Sequence, residues 1–198
     1  MQTSARKEDR RVRRTKRLLT QALVQLMQEK TVKDITVKEL TELADMNRGT
    51  FYLYYKDIHD MLRQVEDNLF SLLEGLLDKH KDDGAQTDIT SILEDIFTFA
   101  SENADLCRVL LSRNGDITFL MRMNQLLKEK CKIYWDAVNA DHDDDEYDYC
   151  FNFCVCGCAG LLFAWLGKNC AEAPAQMARI ASDMLIRGSL SSAEAGGN

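Results

Sequence analysis

The sequence predicts an all-α protein of about nine helices, and three observations carry that prediction. Apolar residues recur three and four positions apart through most of the chain. One proline and ten glycines in 198 residues leave few places where a helix must stop. No run alternates apolar and polar residues as a half-buried strand does, and no internal repeat is visible.

The first helix is expected from about Arg11 to Gln28, with Leu18, Leu19, Ala22, Leu23, Leu26 and Met27 on its inner face. Thr36 and Glu39 have the spacing of a capping box and open a second, two-turn helix that buries Leu40, Leu43 and Ala44. Asn47 caps a third helix from Arg48 to about Tyr54. A fourth begins near Asp57 and carries Ile58, Met61, Leu62, Val65 and Leu69 on one face. The charged stretch Lys79–Thr87, with Gly84, reads as a loop. Ile89 to Ala100 continues the helical spacing, followed by a short helix at Leu106–Leu111 and a longer one from Ile117 to Val138.

An acidic run, Asp141–Asp148, leads into an eighth helix whose stripe is Tyr147, Cys150, Phe151, Cys154, Val155, Cys158, Leu161, Leu162 and Trp165. The last helix is expected at Ala173–Arg187, with Pro174 in its first turn and Gly188 just past its end. Residues 189–198 read as a disordered tail.

The composition, 45% hydrophobic and 29% charged, is that of a soluble globular chain. The net charge of −7 is unevenly placed. Residues 1–63 hold 14 Lys and Arg against 9 Asp and Glu, a net +5, while residues 64–198 hold 11 against 23, a net −12. A basic head on an acidic body suits a protein that presents one end to phosphate.

The basic start Arg6–Arg17 runs into an amphipathic pattern, not an unbroken apolar segment, so no secretory signal is read and a cytoplasmic location is expected. Seven cysteines, an odd number, are then reduced thiols. Tyr149–Gly167 is 19 residues without a formal charge, close to a membrane-spanning length. With Asn152, four cysteines and three glycines, it reads as a buried helix of a soluble bundle, and no membrane partner is expected.

The segment Asp34–Leu62, DITVKELTELADMNRGTFYLYYKDIHDML, contains a capped helix, a tight turn, Gly49-Thr50-Phe51-Tyr52, the pair Tyr54-Tyr55 and an apolar Met61-Leu62. It resembles the DNA-binding signature of the TetR family of transcriptional regulators. The physical logic stands beside the resemblance. Gly49 lets the backbone approach a duplex, Thr50 offers a hydroxyl and a methyl, and Tyr52 and Tyr54 offer long hydroxyl donors. Phe51 and Tyr55 read as core. Asn47, with the amides behind it, reads as a phosphate site.

The resemblance implies base-edge contacts from Lys38 and Arg48, of which Arg48 is the stronger candidate for reading guanine. Lys56 and the basic arm Arg6–Arg17 would add phosphate contacts. Three positions depart from the commonest family pattern. Asp45 stands where Gly is usual and Asn47 where Ser is usual, both changes that preserve geometry. Ile58 stands where a phosphate-binding Lys is usual, which shifts that grip to Lys56 or His59.

The expected organisation is therefore a DNA-binding helix-turn-helix at 1–57 and a ligand-sensing and dimerisation domain at 58–188. The resemblance implies a homodimer on a palindromic duplex, usually a repressor, modulated by a small-molecule effector and without enzymatic activity. The last two helices would pair with their copies, and Cys156, Gly160 and Ala164 form a small-residue track that permits close approach. Leu69, Phe97, Phe119, Met123, Tyr134 and Trp135 are candidates to line an effector pocket, and would serve equally as core.

Cys150, Cys154, Cys156 and Cys158 invite a thiol-redox reading, but their spacing is poor for zinc, so core packing is preferred. His142 among Asp141, Asp143, Asp144 and Asp145 lacks the pattern of a calcium loop and reads as a solvated helix entry. His59 beside Asp60 reads as a surface residue, and no catalytic constellation, metal or cofactor is expected. A thiol-redox regulator, and an effector-less one acting through protein contacts, are the alternative readings.

Overall fold

The computed structural model describes the backbone of residues 2–80, 88–112, 115–138 and 144–195, and side chains at 10–80, 88–112, 115–132, 145 and 147–185. Among these residues the protein is all-helical: nine α-helices, one 3-10 turn and no strand. The helices are α1 (Gln2–Glu29), α2 (Val37–Leu43), α3 (Arg48–Tyr52), α4 (Ile58–Asp78) and α5 (Ile89–Glu102). They continue as α6 (Ala104–Leu110), α7 (Ile117–Val138), α8 (Asp144–Gly167) and α9 (Pro174–Ala195). Most of Lys79–Thr87, and Asp141, His142 and Asp143, lie outside the described residues.

Two ends differ from the sequence reading. The basic arm is itself helical, since α1 starts at Gln2 and not near Arg11. The final helix passes through Gly188 to Ala195, so the segment read as a disordered tail from Ser189 is helical that far. A single glycine costs a helix about 1 kcal/mol and does not stop one, and the alanine, leucine and glutamate that follow favour continuation.

The chain divides into two compact units, residues 1–69 with 109–116, and residues 70–108 with 117–198. Helix α4 is shared, its first part belonging to one unit and its remainder to the other. The first unit is built on α1, whose Leu19, Ala22, Leu23 and Met27 are buried together with Leu40 of α2 and Phe51 of α3. Thr36 caps α2 in a complete capping box with Glu39. The turn after α2 places Asp45 in the left-handed region at φ 51°, where glycine is otherwise favoured. Asp45→Gly should therefore leave stability within about 1 kcal/mol, whereas Asp45→Val should cost about 1–2 kcal/mol, read from urea midpoints.

In the second unit a buried cluster joins Leu73 and Leu77 of α4, Ile92 of α5 and Leu126 of α7. Lys130 of α7 bonds Asp78, and His80 bonds Asp95 at 3.0 Å, so the far end of α4 is pinned to both neighbours. Helices α5, α8 and α9 meet around Trp165, which is 1% exposed and lies edge-on to Phe97 at 5.3 Å. Its Nε1 donates to the Glu172 carbonyl at 3.1 Å, with Met177, Ala178 and Ala181 of α9 buried in the same unit.

Arg108 closes the C-terminus of α8: its Nε donates to the Leu166 carbonyl at 2.9 Å and its guanidinium reaches Asn169 and Asp105. A cation at the negative end of a helix is electrostatically favoured. Leu166 and Asn169 lie 58 and 61 positions away, so no local sequence signal marks the contact with α8.

Candidate nucleic-acid interface

Helices α2 and α3 and the turn between them form a helix-turn-helix in which α3 has one buried and one open face. Phe51 is fully buried, packing edge-on to Tyr52 at 5.4 Å and tilted on Tyr55 at 5.5 Å. Phe51 and Tyr55 are thus core, and burial pushes the Tyr55 hydroxyl pKa up. Lys38, Asn47, Arg48, Gly49, Tyr52, Lys56 and His59 are all exposed, and Thr50 and Tyr54 are half-buried. The neighbouring Leu53 is 75% exposed, an apolar side chain at the tip of the same surface that the sequence reading did not single out.

Tyr54 is not simply an outward donor. Lys16 of α1 sits over its ring at 5.9 Å and over Tyr55 at 5.7 Å, which fixes α1 against the end of α3. Asn47 caps α3 by accepting from the Gly49 amide at 2.9 Å. That amide is therefore already satisfied, and the phosphate site expected behind Asn47 is narrower than the sequence suggested.

Ile58 is only 5% exposed and belongs to the core with Met61 and Leu62. The amides at the start of α4 are taken by carboxylates, with the Asp60 amide donating to Asp57 at 2.7 Å and the Lys56 amide to Asp60 at 2.9 Å. The Lys56 amide, with the Arg63 and Lys56 charges, holds the Asp60 carboxyl below its usual pKa. The phosphate grip lost at Ile58 thus has two anions beside it. On α2, Lys30 bonds Glu39 at 2.7 Å, and with the Thr36 contacts this lowers the Glu39 pKa to about 2.

The family model for the C-terminal region of TetR-type transcriptional regulators matches residues 87–187, just over half of the chain. The chain belongs to the TetR family of transcriptional regulators. Over 56 residues the chain is 38% identical to an uncharacterised HTH-type transcriptional regulator of Bacillus subtilis, YxbF. That match spans 28% of this chain and 14% of YxbF.

Solved structures share the fold. A TetR transcriptional regulator from Streptococcus agalactiae is 22% identical with a TM-score of 0.60, covering 91% of this chain and 98% of its own. FadR of Bacillus subtilis, solved with stearoyl-CoA, is 15% identical with a TM-score of 0.63, over 86% of this chain and 97% of its own.

In the second unit of this TetR-family chain, α8 presents two unlike faces. The stripe from Tyr147 through Phe151 to Trp165 and Leu166 is turned inward, as the spacing indicates. Helix α8 is not buried all round, however. Cys156, Gly160 and Ala164 are exposed, in line with Tyr149 at 77%, Phe153 at 79% and the exposed Gly157 and Gly167. Over Tyr147–Gly167 the helix is long and apolar enough to cross a membrane, with mean hydropathy 1.8.

Of the pocket candidates, Leu69, Phe97 and Phe119 are buried and Met123 packs against the α4–α5–α7 cluster, while Tyr134 and Trp135 lie outside the described side chains. An open cleft of about 480 Å³ lies in the first unit, between Arg11, Arg14, Thr15 and Leu18 of α1 and the turn Ala44–Met46.

The thiols divide. Cys150, Cys154 and Cys158 are half-buried, and Cys156 and Cys131 of α7 are exposed residues, the Cys131 thiol lying beside Cys154 and Cys158, which the α8 spacing alone did not indicate. Burial, with Cys154 and Cys158 beside it, raises the Cys131 pKa to about 11, and burial likewise raises those of Cys154 and Cys158. A thiol held protonated is a poor nucleophile, which weighs against redox sensing and for packing. Among the described residues no cluster of His, Cys, Asp and Glu could hold a metal ion.

Proposed function

We propose that this TetR-family chain is a homodimeric repressor that reads a palindromic duplex through α3 and is released by a small-molecule effector bound in the second unit. The observation that carries the reading is the open face of α3: Arg48, Gly49 and Tyr52 are exposed directly above the fully buried Phe51, with Lys38 of α2 exposed beside them. A side chain that can reach a base edge from a helix anchored this firmly holds its position without ordering cost at binding.

A single five-residue helix reads few base pairs, so two copies are needed, and the exposed apolar face of α8 is where the second copy would sit. The same contact would cover the span-length helix and keep the chain soluble in the cytoplasm. Helix α4, shared by both units, is the element through which an effector would act. The relative solved with stearoyl-CoA supports testing long-chain acyl thioesters first, beside Phe97, Phe119 and Met123.

Selection of wild-type protein on a random-sequence duplex pool should yield a palindrome. On that duplex Arg48→Ala should weaken binding by about 10- to 100-fold per half-site and relax preference at one base pair, with non-specific binding little changed. Selection that enriches no sequence would overturn the reading.

A further inference from the structure

We propose that Leu53 is a specificity-determining residue of the duplex interface, an apolar side chain that closes on the C5-methyl group of a thymine in the major groove; this rests on the function proposed above. Among the described residues of the first unit, the large apolar side chains left exposed are Leu43 at 42%, Tyr52 at 57% and Leu53 at 75%. All three belong to the helix-turn-helix: Leu43 ends α2, Tyr52 ends α3 and Leu53 is the residue that caps α3. Single exposed apolar residues scattered over a surface need no explanation, but these are confined to one motif.

The backbone aims Leu53 outward and holds it there. At φ −70° and ψ −23° it continues the helical path of α3, so Gly49, Tyr52 and Leu53, at positions i, i+3 and i+4, share one face. Phe51 and Tyr55 are buried on the other. The Tyr54 and Tyr55 amides both donate to the Phe51 carbonyl, at 3.0 and 3.1 Å, which fixes the turn on either side of the Leu53 carbonyl. One helical turn earlier Gly49 adds no bulk, and a Cβ built there would meet only the Asn47 Oδ1 at 3.5 Å. The face is thus thin at Gly49 and projects at Leu53.

The chemistry of the side chain narrows its partner. Leucine has no hydrogen-bond donor, so it cannot hold a phosphate or read a polar base edge; it gains only by covering an apolar group. Lys38, Arg48 and Lys56 are exposed in the same motif, and a surface that combines these cations with a bare leucine suits a polyanion that also carries apolar groups. In the major groove the apolar group on a base edge is the thymine methyl. Because the backbone is already fixed, only side-chain rotamer freedom is lost at binding.

The test uses the palindrome selected by wild type, with each thymine of the half-site replaced in turn by deoxyuridine, which removes the methyl and keeps the pairing edge. Covering one methyl is worth about 4-fold in affinity, so replacement at the contacted position in both half-sites should weaken wild type by about 15-fold. Leu53→Ala should bind the thymine duplex about as weakly as wild type binds the uracil duplex, and should lose less than about 2-fold to the replacement. Leu53→Met, still apolar, should keep the sensitivity. Circular dichroism and urea midpoints should match wild type in both variants, because the side chain is exposed. Sensitivity to the methyl that persists in Leu53→Ala overturns this inference and assigns the contact to Thr50 or Tyr52. A half-site with no thymine, or none that responds to the replacement, also overturns it. These outcomes leave the proposed function standing, whereas failure of wild type to select any duplex overturns the proposed function instead.

Discussion

Gly160→Arg should convert the protein to a monomer and weaken operator binding by about 100-fold or more, while leaving the helical content of each chain intact. Within one chain a Cβ built on Gly160 meets nothing within 4 Å, and the same holds at Gly157 and Gly167. Nothing inside the subunit therefore requires these glycines, and each costs an α-helix about 1 kcal/mol relative to alanine. A close helix-helix approach across the outer face of α8 gives them a use, since only small residues let backbones near one another. Phe153 at 79% exposed and Tyr149 at 77% supply the apolar area beside that track.

The size of the expected loss follows from bivalency, because separating two heads forfeits the second, intramolecular binding event, worth 10² to 10⁴ in affinity. Sedimentation gives the mass and a duplex-binding titration the affinity. Cys156 supplies an independent reading. Exposed in the single chain, it should be shielded from iodoacetamide in wild type and alkylated in the variant. Gly75 of α4, also open in space, is the control: Gly75→Arg should leave mass and alkylation as they are. A Gly160→Arg protein of unchanged mass would show that the second copy sits elsewhere.

The DNA head was legible in the sequence because its signals are local. Thr36 and Glu39 are three residues apart and close their capping box; Asn47 caps within two residues; Phe51 and Tyr55 are four apart on the buried face. Even the departure at Asp45 was readable, since tolerance of left-handed angles is a property of the residue itself. What escaped depends on distance along the chain. Lys30 reaches Glu39, Lys16 reaches Tyr54 and Arg108 reaches the end of α8, and no periodicity encodes such pairings.

Helix α8 shows a different limit. Apolar residues surround it, so periodicity identified the inward stripe correctly but gave no sign that the opposite face would be bare. A helix that is apolar all round satisfies equally a buried core, a bilayer or a second copy. The packing of α5, α7 and α9 against one side rules out the first and leaves the opposite face open.

Trp165→Ala should be the most destabilising single change in the second unit, by about 3–5 kcal/mol against a total that for domains of this kind is about 5–15 kcal/mol. The indole is 1% exposed and touches three elements at once: Phe97 of α5 edge-on, the Glu172 carbonyl in the link before α9, and its own α8. Removing it leaves a cavity where α5, α8 and α9 meet and orphans the Glu172 carbonyl. Trp165→Phe keeps one six-membered ring but loses the donor and the pyrrole half of the indole, so a smaller loss of about 1–3 kcal/mol is expected, and the difference between the two variants measures the packing that the retained ring supplies.

Denaturant midpoints at one fixed protein concentration make the comparison, since self-association would make apparent stability depend on concentration. The consequence reaches function because the same indole sets how α8 lies on α5 and α9, and hence where its outer face points. Trp165→Ala should weaken self-association together with stability, whereas Phe51→Ala, an equally buried aromatic in the first unit, should unfold the head and spare the dimer. Loss of stability at Trp165 without loss of self-association would mean that the outer face of α8 is held by α7 and α9 alone.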